Sequence, residues 1–155
     1  CPRLDALPDR AKGFEDDLAP RHRTLSPSDF GFHNALKQNT GKIVFLDFEY
    51  FGWDDPVKMV SDVLWHPGSN LTPALGDKFQ KNAGEIFAAG DDGFKDRLDA
   101  LYPLYGMIWC LTLLNEFLPE RWHRRISAGT TTDADQAQAE QLQAAKDLLN
   151  KIDHE

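Results

Sequence analysis

The sequence predicts an α+β fold that is mainly α, with one small β-hairpin. Three features predict it: an apolar run at 43–46, a turn-prone segment just before that run, and apolar residues spaced three or four apart over much of the chain after residue 55. A length of 155 residues, 41% hydrophobic and 27% charged, is typical of a globular protein. We therefore expect residues 1–155 to form a single domain.

The hairpin is predicted around Gln38-Asn39-Thr40-Gly41. This turn-prone segment separates a short apolar stretch at 35–36 from the run at 42–48, and such an arrangement is a hairpin signal. Residues 43–46 are apolar throughout, which suits a strand covered on both faces.

Helices are predicted after Asp55. Pro56 can begin a short helix that the sequence His66-Pro67-Gly68 ends, and Thr72 can cap a second one with Pro73 at its first position. The predicted helical segments are 56–65, 73–89, 92–101, 103–118, 119–126 and a final helix after the capping pair Asp133 and Gln136. The segment 103–118 is the most apolar and is expected at the centre of the core. Residues 1–23 are expected to be irregular or weakly helical, and 127–132 a flexible loop.

Composition excludes several classes of function. A net charge of −8 and a pI near 5.0 argue against a nucleic-acid surface, which would show a basic excess. No stretch approaches the roughly 20 apolar residues of a membrane helix, and the first residues lack the apolar run of a signal peptide, so we expect a cytoplasmic protein without a membrane partner. Because the chain begins with Cys1 and not Met, we expect it to be part of a longer protein.

Three polar residues around the predicted hairpin carry the candidate chemistry. Asp29 and Asn34 lie in one short loop, and Asp47 ends the apolar run beyond the hairpin turn. Phosphoryl transfer needs a carboxylate that orients the attacking hydroxyl and oxygen ligands for Mg²⁺. A loop followed by a hairpin can bring these three side chains together.

This pattern resembles a known group of enzymes. An Asp followed five positions later by Asn, and then a hydrophobic strand ending in Asp, is similar to the catalytic and metal loops of kinase-like phosphotransferases. The segment 46–52 (Leu-Asp-Phe-Glu-Tyr-Phe-Gly) resembles choline and ethanolamine kinases, and Asp54-Asp55-Pro56 resembles the acidic-proline turn of aminoglycoside phosphotransferases. The resemblance is strong over 24–66, and the later helices match only in general character.

The resemblance implies the helical C-terminal lobe of a kinase-like fold. It implies that Asp29 is the catalytic base or hydroxyl orienter, and that Asn34 and Asp47 hold the Mg²⁺ that bridges the phosphates of ATP. The implied activity is transfer of the γ-phosphoryl group of ATP to a hydroxyl of a small molecule, of the aminoglycoside, sugar or amino-alcohol class.

Two departures from the family pattern leave alternatives open. The family has His two residues before the catalytic Asp, where this chain has Pro27, although Ser26 or Ser28 can supply hydrogen bonds. The chain also lacks a Gly-rich phosphate loop followed by a strand Lys and a helix Glu. We therefore expect the ATP-gripping N-terminal lobe to lie elsewhere in the same protein and this chain alone to be a poor catalyst. The alternatives are a catalytically inactive, pseudokinase-like scaffold and a plain helical interaction module.

Other residues have simpler interpretations. His33 and His66 are expected to be hydrogen-bonding residues and not metal ligands, because no zinc-like spacing surrounds them. Tyr50 and Trp53 can form an aromatic wall for the acceptor. Four aromatic residues are expected in the core: Trp65, Phe79, Trp109 and Phe117.

Overall fold

Within the part of the chain that the structure describes, four short strands form two separate two-stranded sheets. The computed structural model describes residues 5–6, 9, 13, 16–127, 129 and 133–154. Strands β2 (Ala35–Lys37) and β3 (Ile43–Phe45) pair antiparallel, with Leu36 opposite Val44. The predicted hairpin is thus confirmed. Its turn is closed by a backbone hydrogen bond from Gln38 to Lys42 of 2.8 Å, and Gly41 supplies the left-handed backbone with φ of 85°.

The second sheet was not predicted. Strands β1 (Thr24–Ser26) and β4 (Gly52–Asp54) pair antiparallel across the whole hairpin, so that Leu25 lies opposite Trp53. Each strand has only 3 residues, and their partners are distant in sequence, so no local pattern signals the pairing. This sheet holds together the two ends of the segment that carries the candidate residues.

Helices α1 (Pro56–Trp65) and α2 (Pro73–Ala88) begin where the sequence predicts. Helix α1 has Asp55 at its N-cap, whose side chain accepts a hydrogen bond of 2.8 Å from the amide of Val57. Helix α2 has Thr72 at the N-cap position, but the threonine side chain makes no capping bond there. Proline at the first helical position, with its fixed φ, is the signal that both helices share.

One boundary was predicted wrongly. Residues 92–101 and 103–118 were expected to be separate helices, with Pro103 opening the second, but helix α3 (Phe94–Leu113) runs through Pro103. A proline inside a helix costs about 3 kcal/mol, so tertiary packing must outweigh that cost here. The later helices α4 (Pro119–Ser127) and α5 (Ala134–His154) agree with the prediction. Most of the predicted loop 127–132, and most of the stretch 1–19, lie outside the described residues.

The chain divides into two compact units, one of residues 6–105 and one of 106–155 together with 1–5. In the second unit the thiol of Cys110 is buried and lies 3.7 Å from the carbonyl oxygen of Ala145 in α5. Burial raises the pKa of this thiol, as expected of a cysteine that acts as a small apolar side chain. The division leaves the expectation of a single domain as a prediction.

The unit of residues 6–105 has its core between α1, α2 and the first turns of α3. The core residues are Val57, Val60, Ala83, Phe94 and Leu98, with Phe79 packed against them. A fully buried Val, Leu or Phe side chain contributes about 1.5–3 kcal/mol. Trp65 is also buried, as predicted, and its indole donates to the carbonyl oxygen of Tyr102 over 2.9 Å. The core thus fixes α1, which follows directly after β4.

The segment 103–118 is not the centre of the core. Ile108, Leu111 and Leu118 are 53%, 63% and 49% exposed, and Phe117 is 45% exposed, so its predicted place in the core is also wrong. An apolar run shows that a segment can be buried, but neighbouring elements decide whether it is. Within the described residues, no helix combines the length and apolar character needed to cross a membrane.

Candidate active site

Asp29 lies in a tight loop directly after strand β1. The hydroxyl of Ser26 accepts a hydrogen bond of 3.0 Å from the amide of Ser28, and the amide of Asp29 donates to the carbonyl oxygen of Pro27 over 2.8 Å. Ser28 has a left-handed backbone with φ of 64°, which is uncommon for a residue with a side chain. The loop therefore reverses sharply and presents Asp29, whose side chain is 43% exposed, at the surface.

Asn34 is bonded directly to Asp29. Its side-chain amide Nδ2 donates to the carbonyl oxygen of Asp29 over 2.9 Å and to the carboxylate Oδ2 over 3.2 Å. Two acceptors facing Nδ2 fix the orientation of the amide, so its carbonyl oxygen Oδ1 faces away from them. This oxygen stays available as a ligand for a hard cation such as Mg²⁺.

Asp47 follows the strand that runs back beside Asn34. The amide of Leu46 donates to the backbone carbonyl oxygen of Asn34 over 2.8 Å, so Asp47 is the next residue after that bond. Its backbone is left-handed, with φ of 61°, and its side chain is exposed. A non-glycine residue in this conformation costs roughly 1–2 kcal/mol. Such strain is common at functional sites.

The three predicted site residues thus occupy one stretch of the surface. Asp29 and Asn34 are in direct contact, and Asp47 is tied to Asn34 through the backbone of its neighbour. The donor set is an amide oxygen and a carboxylate, which suits Mg²⁺ and not a soft metal. The amide oxygen of Asn34 and the carboxylate of Asp47 are thus oxygen donors whose chemistry suits Mg²⁺.

Two histidines also belong to the site. The imidazole Nε2 of His33 lies 2.8 Å from Oδ1 of Asp29, and Nε2 of His66 lies 3.6 Å from the same oxygen. The two rings stack with centroids 3.8 Å apart and planes 8° from parallel. Both were expected to be hydrogen-bonding residues. The contact between them was not predicted, because His66 lies at the C-terminal end of α1, far from the loop in sequence. Only its position before a Pro-Gly turn marked it in the sequence.

The environment of His66 favours its neutral form. Burial lowers the pKa of its imidazole, the neighbouring His33 lowers it further, and Asp29 opposes these effects only in part. Its Nδ1 accepts a hydrogen bond of 2.9 Å from the amide of Gly68. The proton of the neutral ring is therefore on Nε2, the nitrogen that faces Asp29.

Other polar residues near the site have different partners. The hydroxyl of Ser28 lies 3.3 Å from the carbonyl oxygen of Tyr50, so Ser26 and Ser28 both stabilise the turn. Asp62 is buried in α1 and accepts from the ammonium group of Lys58 over 2.8 Å. Glu49 is exposed in the turn after Asp47.

An ion-pair network holds the start of helix α1 in place. The guanidinium group of Arg97 in α3 contacts Asp55 at 3.1 Å and Asp91 at 2.8 Å, and all three side chains are at most 18% exposed. The hydrogen bond from Arg97 lowers the pKa of Asp91, although burial opposes the effect. Because Asp55 also caps α1, the network joins the start of α1 to α3.

The segment that carries the candidate residues exposes many large hydrophobic side chains, together called the apolar surface. Each is 44–69% exposed: Leu25, Phe32, Leu36, Ile43, Leu46, Phe48, Tyr50, Phe51 and Trp53. Monomeric proteins rarely expose so many large apolar residues on one short segment unless the surface binds something. Tyr50 and Trp53 are the most exposed of the set, at 69% and 66%, so both are accessible to a ligand.

Comparisons with protein-family models, with curated proteins and with solved structures give no match to this chain. The resemblance to kinase-like phosphotransferases consequently stays a prediction from the sequence motifs.

Proposed function

We propose that this chain is the metal-binding half of an ATP- and Mg²⁺-dependent phosphotransferase that acts on a hydroxyl of a small molecule. The observation that carries the proposal is the bond between Asn34 and Asp29. One amide group holds the candidate base and turns its own oxygen outward as a metal ligand. A base and a metal ligand held in fixed relation suit phosphoryl transfer, because that reaction is catalysed chiefly by positioning and charge stabilisation.

The roles of the residues follow from their chemistry. Asp29 accepts the hydrogen bond of the acceptor hydroxyl and aligns its oxygen with the phosphorus atom. Asn34 Oδ1 and the carboxylate of Asp47 would hold Mg²⁺ against the phosphates. The ion, when bound, neutralises the charge on the phosphate oxygens. The left-handed turns at Ser28 and Asp47 keep the two carboxylates at the surface, where a substrate can reach them.

In this proposal the elements that grip ATP come from another segment of the same protein. The sequence lacks a Gly-rich loop with a strand Lys and a helix Glu, which such enzymes use to cover the nucleotide. The apolar surface of residues 25–53 supports the idea, because an exposed surface of this kind next to the candidate base would be covered by such a segment and by the nucleotide.

The acceptor is proposed to be a cationic small molecule, such as an aminoglycoside or an amino alcohol. The chain has a net charge of −8. A cleft of about 540 Å³ that Trp53 helps to line contains five aspartates and three arginines, and one of the arginines, Arg97, is already paired with two of the aspartates. The cleft therefore has more aspartates than arginines, and an exposed indole beside acidic side chains is a favourable surface for an ammonium group.

The test is calorimetric titration of the full-length protein with ATP, with and without Mg²⁺. We expect binding that needs Mg²⁺ and that weakens at least about tenfold in Asp47→Ala, because one of two protein ligands is lost. Asp77→Ala, an exposed aspartate of α2, is the matched control and should bind like the wild type. No binding to a folded wild-type protein would exclude the enzyme and favour a pseudokinase-like scaffold, for which Pro27 is the sequence argument.

A further inference from the structure

The carboxylate of Asp29 is held at both oxygens. Asn34 donates to Oδ2 over 3.2 Å, and His33 lies 2.8 Å from Oδ1. A carboxylate is only an acceptor, so Nε2 of His33 carries the proton in this contact. Two donors on opposite oxygens fix the rotation of the carboxylate plane, which a single donor does not.

The ring of His33 is itself held by His66. The two imidazoles stack at 3.8 Å, and their side chains are 19% and 18% exposed. His66 is anchored in turn, because the amide of Gly68 donates to its Nδ1 over 2.9 Å in the turn that ends α1. A chain of contacts therefore runs from the rigid helix α1 through both rings to Asp29. The 3.6 Å from His66 to Asp29 is too long for a hydrogen bond, so His66 acts through His33.

A metal ion is the competing interpretation of this cluster. Asp29, His33 and His66 offer ligand atoms within 4.8 Å of one another. The lone pairs of imidazole nitrogens lie in the ring planes, and planes only 8° from parallel direct them side by side and not toward one point. Coordination through Nε2 of His66 would also require its Nδ1 to carry the proton, which would break the bond from Gly68. The geometry therefore favours hydrogen bonding over chelation.

We propose that His33 is a positioning residue that fixes the Asp29 carboxylate for the acceptor hydroxyl, and that His66 holds His33 in place by ring stacking. This inference rests on the proposed function.

The hydrogen-bonding part is tested by NMR on the ¹⁵N-labelled protein. Long-range ¹H–¹⁵N spectra report which ring nitrogen of a histidine carries the proton. We expect the Nε2–H form for both His33 and His66, and a shift of the His33 Nε2 signal in Asp29→Ala. An Nδ1–H form at either position overturns the proposal, as does stoichiometric Zn²⁺ binding that His33→Gln and His66→Asn both abolish.

The positioning part is tested by matched pairs of substitutions in the full-length protein, with Mg²⁺-dependent ATP hydrolysis as the readout. His33→Gln keeps an N–H donor near the place of Nε2 but loses the ring, whereas His33→Phe keeps the ring and loses the donor. His66→Phe keeps the ring, whereas His66→Asn keeps an acceptor for Gly68 and loses the ring. We expect His33→Gln, which keeps the donor, to turn over ATP about ten times faster than His33→Phe. We likewise expect His66→Phe, which keeps the ring, to be about ten times faster than His66→Asn. His123→Gln, on an exposed part of α4, is the control.

The outcomes distinguish a failure of this inference from a failure of the proposed function. A merely structural role would lower turnover in step with the melting temperature of each variant, and that result overturns the proposal. Equal turnover of His33→Gln and His33→Phe in an active protein also overturns it and leaves the proposed function standing. A wild-type protein that neither binds nor hydrolyses ATP overturns both, whatever the NMR spectra show.

Discussion

The side-chain amide of Asn34 donates to both the backbone carbonyl oxygen and the carboxylate of Asp29, over 2.9 and 3.2 Å. The two residues are five positions apart in the sequence, and these hydrogen bonds hold the two ends of the loop together. Because the amide nitrogen of Asn34 is hydrogen-bonded to Asp29, the orientation of the amide oxygen is fixed as well. A change that moves the carboxylate of Asp29, the candidate base, is therefore expected to move the amide oxygen of Asn34, a candidate metal ligand, as well.

The first prediction separates these two roles of Asn34. Asn34→Asp keeps an oxygen ligand but replaces the donor with a second carboxylate facing Asp29. We expect Mg²⁺-dependent ATP binding to be largely kept, while ATP hydrolysis falls about 100-fold because the base is displaced. Asn34→Ala, which loses the ligand and the donor together, should lose both binding and turnover. Calorimetry and phosphate release on the full-length protein measure the two effects, and a parallel loss in both variants would contradict the division of roles.

The second prediction concerns Asp29 alone. Asp29→Ala removes the carboxylate that aligns the acceptor hydroxyl but leaves Asn34 Oδ1 and Asp47 in place. We expect ATP hydrolysis to fall by at least about 100-fold, which is the usual contribution of a general base. Binding of Mg²⁺-ATP should stay within about threefold of the wild type, since Asp29 is not among the proposed ligands. Full activity of this variant would show that Asp29 is wrongly assigned.

Much of the fold could be predicted because its signals are local. Proline at the first helical position marked the starts of α1 and α2, and Gln38-Asn39-Thr40-Gly41 marked the hairpin. The spacing of Asp29 and Asn34 likewise indicated one loop. Each of these predictions depends on residues that are neighbours in the chain.

The features that were missed depend on distant partners. Pro103 was expected to begin a helix, yet α3 continues through it, with Phe94 and Leu98 buried in the core on one side of it and Tyr102 bound to Trp65. Packing of this kind outweighs the local cost of a proline. The stacking of His33 on His66 joins two segments that no sequence pattern relates. The proximity of Asp29 and Asn34 could be predicted from their spacing, but the contacts of His33 and His66 with Asp29 could not.

The third prediction tests the ion pairs behind the site. Arg97→Met removes the guanidinium group from Asp55 and Asp91, whose side chains are only 18% and 11% exposed. We expect the free energy of unfolding to fall by about 3 kcal/mol, as is usual when one partner of a buried pair is removed. Arg125→Met is the control: its pair with Glu116 is 2.8 Å long, but the arginine is 40% exposed, so the loss should stay below about 1 kcal/mol. Urea denaturation measures both, and equal losses would contradict the distinction.

The fourth prediction is a pH dependence that arises from His66. Burial and His33 hold the pKa of this imidazole below its ordinary value of about 6.5, so the unfolded chain binds the proton first as the pH falls. The stabilisation is complete above about pH 6.5 and is lost as the pH falls through the lower, folded pKa. The free energy of unfolding should therefore fall less steeply between pH 7.5 and 5.5 in His66→Phe than in the wild type. His123→Phe, an exposed position, should keep the wild-type slope.

The last prediction uses the space around Gly31. Its backbone is extended, with φ of 178°, so any residue can adopt it, but a Cβ atom would lie 2.5 Å from Cε1 and 2.6 Å from Nδ1 of His33. Gly31→Ala must therefore move the imidazole that contacts Asp29. We expect ATP hydrolysis to fall about tenfold and the free energy of unfolding to fall by about 1–2 kcal/mol, the usual cost of overpacking.

Gly84→Ala in α2 is the matched control for Gly31→Ala, because an added Cβ meets no atom within 4 Å there. Alanine is favoured over glycine inside a helix by about 1 kcal/mol, so this variant should be more stable than the wild type and equally active. Wild-type hydrolysis in Gly31→Ala, together with a shifted NMR signal of His33, would mean that the ring moves without disturbing Asp29 and would contradict the prediction. Loss of hydrolysis with a shifted His33 signal would instead tie the position of this imidazole to turnover.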